Sequence, residues 1–517
     1  MASISARSLY ARLTEPGEFA ILDVREVGPF SRGHLLLATN LSLGLLELRI
    51  ADLVPHRSTD VYLCDGGGDE SLAELAASRL ESVGYTRVTV LEGGIQAWRE
   101  AGLEVFTGVN VPSKAFGEFV EHRYGTPSVT ATELDARLSN GEEIAIVDSR
   151  PLDEHERMCI PGSIDVPGAE LVYRMGDLDK GMPIIVHCAG RTRSIIGAQS
   201  LIDAGFENVA ALENGTMGWQ LAGLELEHGS RRTLPDPSPA LHDRALTQAR
   251  DVANRHGVRF LAPSDIESLR SDARTVFLLD VRTVEEFECG HLPGAGHAPG
   301  GQLVQGTDEF AAVRNAILVL CDDQGVRALM TGAWLRRLGW EDVYVLTDFG
   351  EDGSLEEGPR RVQALGFVAA PTLSVAELMS LSESRVLDLA PSSEFAAGHI
   401  PGAFWGLRSW LRQSLEALPD TGRLVITSHD GVLAHFAANE PEARAANAVV
   451  LDGGNQAWSH AGQPLEQGRE RLTCPPDDSW RPAFIDREAS LASMRDYLSW
   501  ETALPDQLSR DASLRFD

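Results

Sequence analysis

Apolar and polar positions along the chain follow a pattern that returns four times. Each return opens on a short, nearly unbroken apolar run ending in aspartate, then a polar turn, then a Gly-His-Leu-Pro-Gly-like sequence. The copies are ILDVREVGPFSRGHLLLA from Ile21, IVDSRPLDEHERMCIPGS from Ile146, LLDVRTVEEFECGHLPGA from Leu278 and VLDLAPSSEFAAGHIPGA from Val386. The anchors Asp23, Asp148, Asp280 and Asp388 lie 125, 132 and 108 residues apart. About forty residues later a second apolar run enters a polar or glycine-bearing loop and then a helical stretch: VYLCDGGGDES, IIVHCAGRTRS, LVLCDDQGVRA and LVITSHDGVLA. A third segment closes three of the units as LEGGIQAW from Leu91, LENGTMGW from Leu212 and LDGGNQAW from Leu451, and drifts to LTDFGEDG from Leu346 in the other. Short apolar runs alternating with helical periodicity predict βα units on a largely parallel sheet, an α/β fold. The predicted units are 1–108, 127–230, 258–358 and 371–468, with a tail over 469–517. A helix is expected in the first joint, Lys114 to Arg123, and a polar helical run, ALHDRALTQARDVANRH, in the second. The third joint is shorter, and the tail ends in amphipathic helical sequence that reads as a strap across other domains.

Length and composition fit this division. The chain has 517 residues, enough for three to five domains, with 43% hydrophobic and 23% charged residues, as in globular protein. No apolar stretch is long enough for a membrane helix, and the N-terminal MASISARSLYARL has no apolar signal region. The net charge of −31 repels phosphate backbones and anionic lipid, which argues against nucleic acid or membrane partners. It also requires any site for an anion to be a local positive exception. The six cysteines, at 64, 159, 188, 289, 321 and 474, form no CxxC and no dense pattern, so neither a zinc site nor a disulfide scaffold is expected. Free thiols in a reducing compartment, the cytoplasm, are the simplest reading.

The second segment carries the candidate chemistry. A thiol at the end of a parallel strand, followed by a glycine-bearing loop and a helix, meets inward-pointing backbone N–H groups and the positive end of the helix. Such a thiol ionises readily and attacks as thiolate, and the same N–H groups can hold a persulfide.

These repeats resemble rhodanese domains, the likeness covering about 420 of the 517 residues. The box from Asp280 to Ala295 is nearly complete, and four copies in register make it specific. The resemblance implies four tandem rhodanese-like domains, each a parallel sheet flanked by helices. It implies transfer of sulfane sulfur from thiosulfate through a cysteine persulfide to cyanide or a thiol, with no metal or organic cofactor.

The copies differ at the loop. The second reads Cys188-Ala189-Gly190-Arg191-Thr192-Arg193 and then Ser194, which looks like the six-residue rhodanese loop. Cys188 is the expected nucleophile, and Ala189, Gly190, Arg191, Thr192, Arg193 and Ser194, with Arg150, are the expected donor-binding residues. Arg is suited to forked contacts with the oxygens of a dianion, and Ser194 is placed to cap the following helix. Arg150 has a competing reading, a buried ion pair with a nearby carboxylate, Glu154 lying four residues on.

In the first copy Cys64 is followed by Asp65, three glycines, Asp69 and Glu70, with no arginine. Counted from the cysteine to the next helix-ending glycine, this loop is three residues longer than the second. In the third copy Cys321 precedes Arg327 by one residue more than Cys188 precedes Arg193, a seven-residue loop that resembles the phosphatase and arsenate-reductase branch; Asp322 and Asp323 argue against an oxyanion there. Cys64 and Cys321 are therefore secondary thiols. The fourth copy has Ser428 at the thiol position, beside His429 and Asp430, and adjacent residues on a strand end cannot form a triad.

The remaining candidates read as structure. The anchoring aspartates suit strand-end turns. His34, His291 and His399 lack spaced metal partners, His187 points away from Cys188 on its strand, and Trp98, Trp219 and Trp458 suit core packing. Cys159, Cys289 and Cys474 have no nest-forming neighbours. The favoured reading is a thiosulfate sulfurtransferase working at Cys188. The alternatives are a persulfide relay or partner-binding module with little free thiosulfate turnover, and an oxyanion phosphatase or reductase at Cys321.

Overall fold

Runs such as FAILD and ILVLC are apolar at consecutive positions because both faces of their strands are covered; every residue of Phe19–Asp23 and Ile317–Cys321 is buried. A computed structural model of the chain describes residues 2–68, 71–177, 181–271, 274–350, 355–480 and 491–517. Each of the four predicted units contains one five-stranded parallel sheet with the same strand order. In the second unit the order is Ser128–Val129, Val209–Leu212, Ile184–His187, Ala145–Asp148 and Ile164–Asp165. The strand of the aspartate box thus lies beside the strand that feeds the loop, and both are central.

Helices on both faces complete an α/β fold, and their starts are written locally. Thr130 with Glu133, Thr283 with Glu286 and Ser374 with Glu377 form reciprocal capping boxes. Trp98, Trp219 and Trp458 are buried, and each donates its indole N–H to a carbonyl six residues on, of Glu104, Glu225 and Pro464, at 2.8–2.9 Å. His34, His291 and His399 stack on Phe30, Phe287 and Phe395 with ring centroids 3.7–4.0 Å apart. The second unit departs from this: Cys159 stands at the histidine position and His155 at the phenylalanine position. His155 bridges Asp148 at 3.0 Å and Ser230 at 3.1 Å.

The units are locked together. Val313–Arg314 of the third adds an antiparallel strand to the first unit's sheet, beside Phe19 and Ala20. Arg408 of the fourth donates to Glu47 of the first at 2.7 and 2.9 Å, and Arg327 of the third to Glu170 of the second at 2.9 Å. One cluster of buried apolar side chains runs through the first three units, whereas the fourth has its own. The first joint forms a helix, Val111–Tyr124, and the second Pro239–Arg255. The tail helix, Leu491–Leu508, packs on the first joint helix; Leu498 lies against Met217 of the second unit and Leu504 enters the core of the first. No described helix is long and apolar enough to cross a membrane.

Candidate active site

The loop of the second unit springs from Ile184–His187 and runs into the helix Thr192–Asp203. Cys188, only 2% exposed, is the first residue past the strand, and its thiol donates to Ser194 Oγ at 3.6 Å. The Cys188 carbonyl accepts from Thr216 N at 2.9 Å, which brings the third segment against the loop. That closeness requires Gly215: a Cβ there, at φ +53°, would collide with the Cys188 carbonyl. Gly94 and Gly454 stand in the same relation to the carbonyls of Asp65 and Ser428.

Ser194 does not cap the helix as expected. The helix starts at Thr192, Arg191 occupies the cap position, and Ser194 lies inside the first turn, donating to the Arg191 carbonyl at 2.7 Å. Both loop arginines are engaged. Arg193 makes a forked pair with Glu154 at 2.7 and 2.9 Å, and Arg191 pairs with Glu118 at 2.6 and 2.9 Å and with Glu121. The partner of Arg150 is Asp148, at 2.7 and 2.9 Å, together with the Met158 carbonyl; Glu154 belongs to Arg193 instead. Burial works against the Glu154 carboxylate, but the charge and hydrogen bonds of Arg193 prevail and hold it below its usual range. Burial pushes Glu118 up, and the nearby Glu501 and Glu121 charges add to that against the pull of Arg191. Thr192 Oγ1 donates to Glu501 of the tail helix at 2.6 Å. His187 is fully buried, and its burial lowers it to about 4.

The four loops must be aligned by their strands rather than by their cysteines. The box aspartates pair in register as Asp23 with Cys64, Asp148 with His187, Asp280 with Cys321 and Asp388 with Thr427. Cys64 and Cys321 therefore occupy the place of His187, inside the strand. Their thiols donate to the Leu22 and Leu279 carbonyls of the neighbouring strand at 3.7 and 3.6 Å, away from the loop. Burial, reinforced by Asp23 and Asp280, pushes both thiols well above the ordinary cysteine range. The residues equivalent to Cys188 are Asp65, Asp322 and Ser428.

This corrects the reading of the third loop. From Asp322 to Arg327 it has the six-residue length of the second, not the seven residues counted from Cys321. Its cradle is filled by its own anion: Asp322 Oδ2 accepts from Arg327 N at 3.1 Å, and burial pushes Asp322 up to about 6 against the pull of Arg327. Arg327 pairs with Glu286, the counterpart of Glu154, at 2.8 Å. In the first loop Asp65 accepts from Gly67 N at 2.9 Å and Ala73 N at 3.0 Å; Asp69 and Glu70 lie outside the described residues. In the fourth, Ser428 Oγ accepts from Ala434 N at 3.3 Å. Of the remaining cysteines, Cys289 is exposed and Cys159 and Cys474 are buried.

Several residues around Cys188 were not singled out from sequence. Glu118 and Glu121, three apart on the joint helix, share a face, which is a legible signal once that helix is placed. Tyr497 and Glu501 reach the loop from some three hundred residues away and have no local signal.

Comparison with known proteins agrees with this architecture. The rhodanese-like domain family matches residues 5–101, 130–222, 262–349 and 374–461. The fold is similar throughout to a crystal structure of thiosulfate sulfurtransferase from Pseudomonas aeruginosa, 45% identical, covering 100% of this chain and 99% of that one, with a TM-score of 0.96. A 110-residue stretch is 36% identical to an HTH-type transcriptional regulator of Mycobacterium tuberculosis, covering 20% of this chain and 48% of that protein, so this chain spans about half of that relative's length. Another stretch, of 88 residues, is 30% identical to the thiosulfate sulfurtransferase GlpE of Pseudoalteromonas translucida, covering 17% of this chain and 84% of that protein. Four repeats with one strand order, each matched by the same family, mean that this chain belongs to the rhodanese family and carries four rhodanese-like domains in tandem.

Proposed function

We propose that the chain is a sulfurtransferase with one working centre, Cys188, that takes sulfane sulfur from thiosulfate and passes it to cyanide or a thiol in the cytoplasm. The observation that carries this reading is the strand register: of the four equivalent loop positions, Cys188 alone has a sulfur atom, the others being Asp65, Asp322 and Ser428. In the first half-reaction the Cys188 thiolate attacks the outer sulfur of thiosulfate. A new S–S bond forms, the donor's S–S bond breaks, and sulfite leaves with its electron pair. In the second, cyanide or a thiolate attacks the outer sulfur of the persulfide, and the Cys188 thiolate departs. The loop N–H groups from Ala189 to Ser194 and the start of the helix Thr192–Asp203 stabilise the anionic persulfide. Arg193 and Arg191 shape the loop through Glu154, Glu118 and Glu121, and Arg150 braces its base through Asp148. Mass spectrometry after thiosulfate treatment tests the reading: one added sulfur on Cys188 supports it, and its absence there overturns it.

A second reading, a persulfide relay with little free thiosulfate turnover, is favoured by one feature. Both loop guanidiniums are already matched by carboxylates, which weakens the local positive field that a free dianion needs. Steady-state kinetics with thiosulfate separates the two.

A further inference from the structure

The tail helix Leu491–Leu508 lies over the Cys188 loop. Met494 and Leu498 form an apolar cluster with Met217, and Tyr497 packs against it. Glu501 is anchored by Thr192 through Oε1 and is fully buried. Its other oxygen, Oε2, is buried without a hydrogen-bond partner among the described residues. A Cβ built on Gly190 would lie 3.2 Å from that oxygen and 3.6 Å from Tyr497. The oxygen therefore stands directly over the loop backbone, two residues from Cys188.

We infer that Glu501 is a specificity-determining residue of the Cys188 site, setting it against dianionic sulfur donors and in favour of thiols that carry an ammonium or N–H group beside the sulfur; this rests on the reading of Cys188 as the working thiol. A buried carboxylate oxygen without a donor is costly, and a substrate N–H placed over Gly190 supplies the missing hydrogen bond. The loop's own cations cannot supply it. Arg193 is held by Glu154, and Arg191 by Glu118 and Glu121 on the joint helix. Four carboxylates thus surround two guanidiniums at the mouth of the loop. Burial and the charges of Glu501 and Cys188 push the Tyr497 phenol well above its ordinary range, so Tyr497 stays neutral and offsets none of the negative charge. At a separation of several ångströms one added negative charge weakens dianion binding by about tenfold.

The test uses the full chain as wild type, Glu501→Gln and Glu501→Asp. Three quantities are measured: KM for thiosulfate with cyanide as acceptor, and kcat/KM for two acceptors of equal chain length, cysteamine (an ammonium thiol) and 3-mercaptopropionate (a carboxylate thiol). Glu501→Gln keeps the shape and the Thr192 contact but removes the charge. It should lower KM for thiosulfate by about tenfold and reduce the preference for cysteamine over 3-mercaptopropionate by a similar factor. Glu501→Asp should keep the wild-type order of acceptors. Unchanged selectivity in Glu501→Gln, or an equal change for both acceptors, overturns the inference. Mass spectrometry of the same proteins keeps the underlying reading separate. A persulfide on Cys188 with unmoved selectivity sinks only the role of Glu501, whereas no persulfide on Cys188 sinks the reading beneath it.

Discussion

Cys188 and Asp322 occupy the same point of two loops of equal length, each followed by a long helix and braced by an arginine–glutamate pair: Arg193 with Glu154, Arg327 with Glu286. In the second domain the position after the strand holds a sulfur atom, which contacts Ser194 Oγ. In the third the cradle of N–H groups is satisfied from within, by a carboxylate on the same chain. The cradle outlives the thiol because its N–H groups and helix end need an acceptor whether or not chemistry is done there. Asp65 accepts from the loop at Gly67 N and from the following helix at Ala73 N, and Ser428 accepts from the following helix at Ala434 N. A loop that is geometrically intact is therefore poor evidence for activity, and the identity of the single residue after the strand decides.

The largest expected effect breaks this comparison at that residue. Cys188→Ser should abolish thiocyanate formation from thiosulfate and cyanide, since a serine cannot carry a persulfide. The double change Cys64→Ser, Cys321→Ser should leave most of the activity, because both thiols point into the sheet. Full activity in Cys188→Ser would place the chemistry elsewhere.

This contrast was only partly legible in the sequence. The four units, their parallel sheets and the prominence of Cys188 follow from repeated apolar runs and one box seen four times. The loop register did not follow, because Cys64 and Cys321 imitate Cys188 while standing one strand position before it. VYLC-Asp, IIVH-Cys, LVLC-Asp and LVIT-Ser share an apolar pattern in which Cys64 and Cys321 take the inward place of His187 and Thr427. The equal spacing of Cys188 from Arg193 and Asp322 from Arg327 carried the same information. The carboxylates that reach the loop from outside the repeat were hidden for a different reason. Glu118, Glu121 and Glu501 come from the joint and tail helices, and no local propensity says where a connecting helix docks.

The two arginine–carboxylate braces should differ in what they hold. Arg327 is fully buried and contacts Glu170, Glu286, Asp322 and Asp323, so Arg327→Ala leaves several carboxylates without a cation. A loss of about 3–5 kcal/mol in unfolding free energy is expected by chemical denaturation. Arg193 answers one carboxylate at a partly wetted site, so Arg193→Ala should cost less, about 1–3 kcal/mol, while impairing sulfur transfer. Adding Glu154→Gln to Arg193→Ala should restore part of that stability but not the activity. A larger stability loss at Arg193 than at Arg327 would mean that the domain interface of the third unit, rather than its filled loop, is the weaker element.

The smallest effect concerns the box that precedes the loop. In three domains it closes on a Phe–His stack, while the second replaces that stack with His155 and Cys159. His155 is buried, and burial opposes its charge. Its hydrogen bond to Asp148 and the charge of that carboxylate prevail and raise it to about 9. His34, in the stacked arrangement, is lowered to about 4 by burial. The two boxes should therefore respond oppositely to pH. The raised histidine stabilises the fold fully below its unfolded value near 6.5, and that contribution is lost as pH rises towards 9. The lowered one is neutral when folded and destabilises the fold only as pH drops below about 6.5, where the unfolded chain takes up the proton. His155→Gln isolates the first effect, because glutamine can still donate to Asp148 but cannot be protonated. The stability advantage of wild type over this variant should shrink by roughly 2–3 kcal/mol between pH 6.5 and 9, measured as urea midpoints at each pH. An advantage that stays constant across that range would show that His155 is neutral in the fold, and that the exchange of Phe–His for His–Cys altered packing without altering charge.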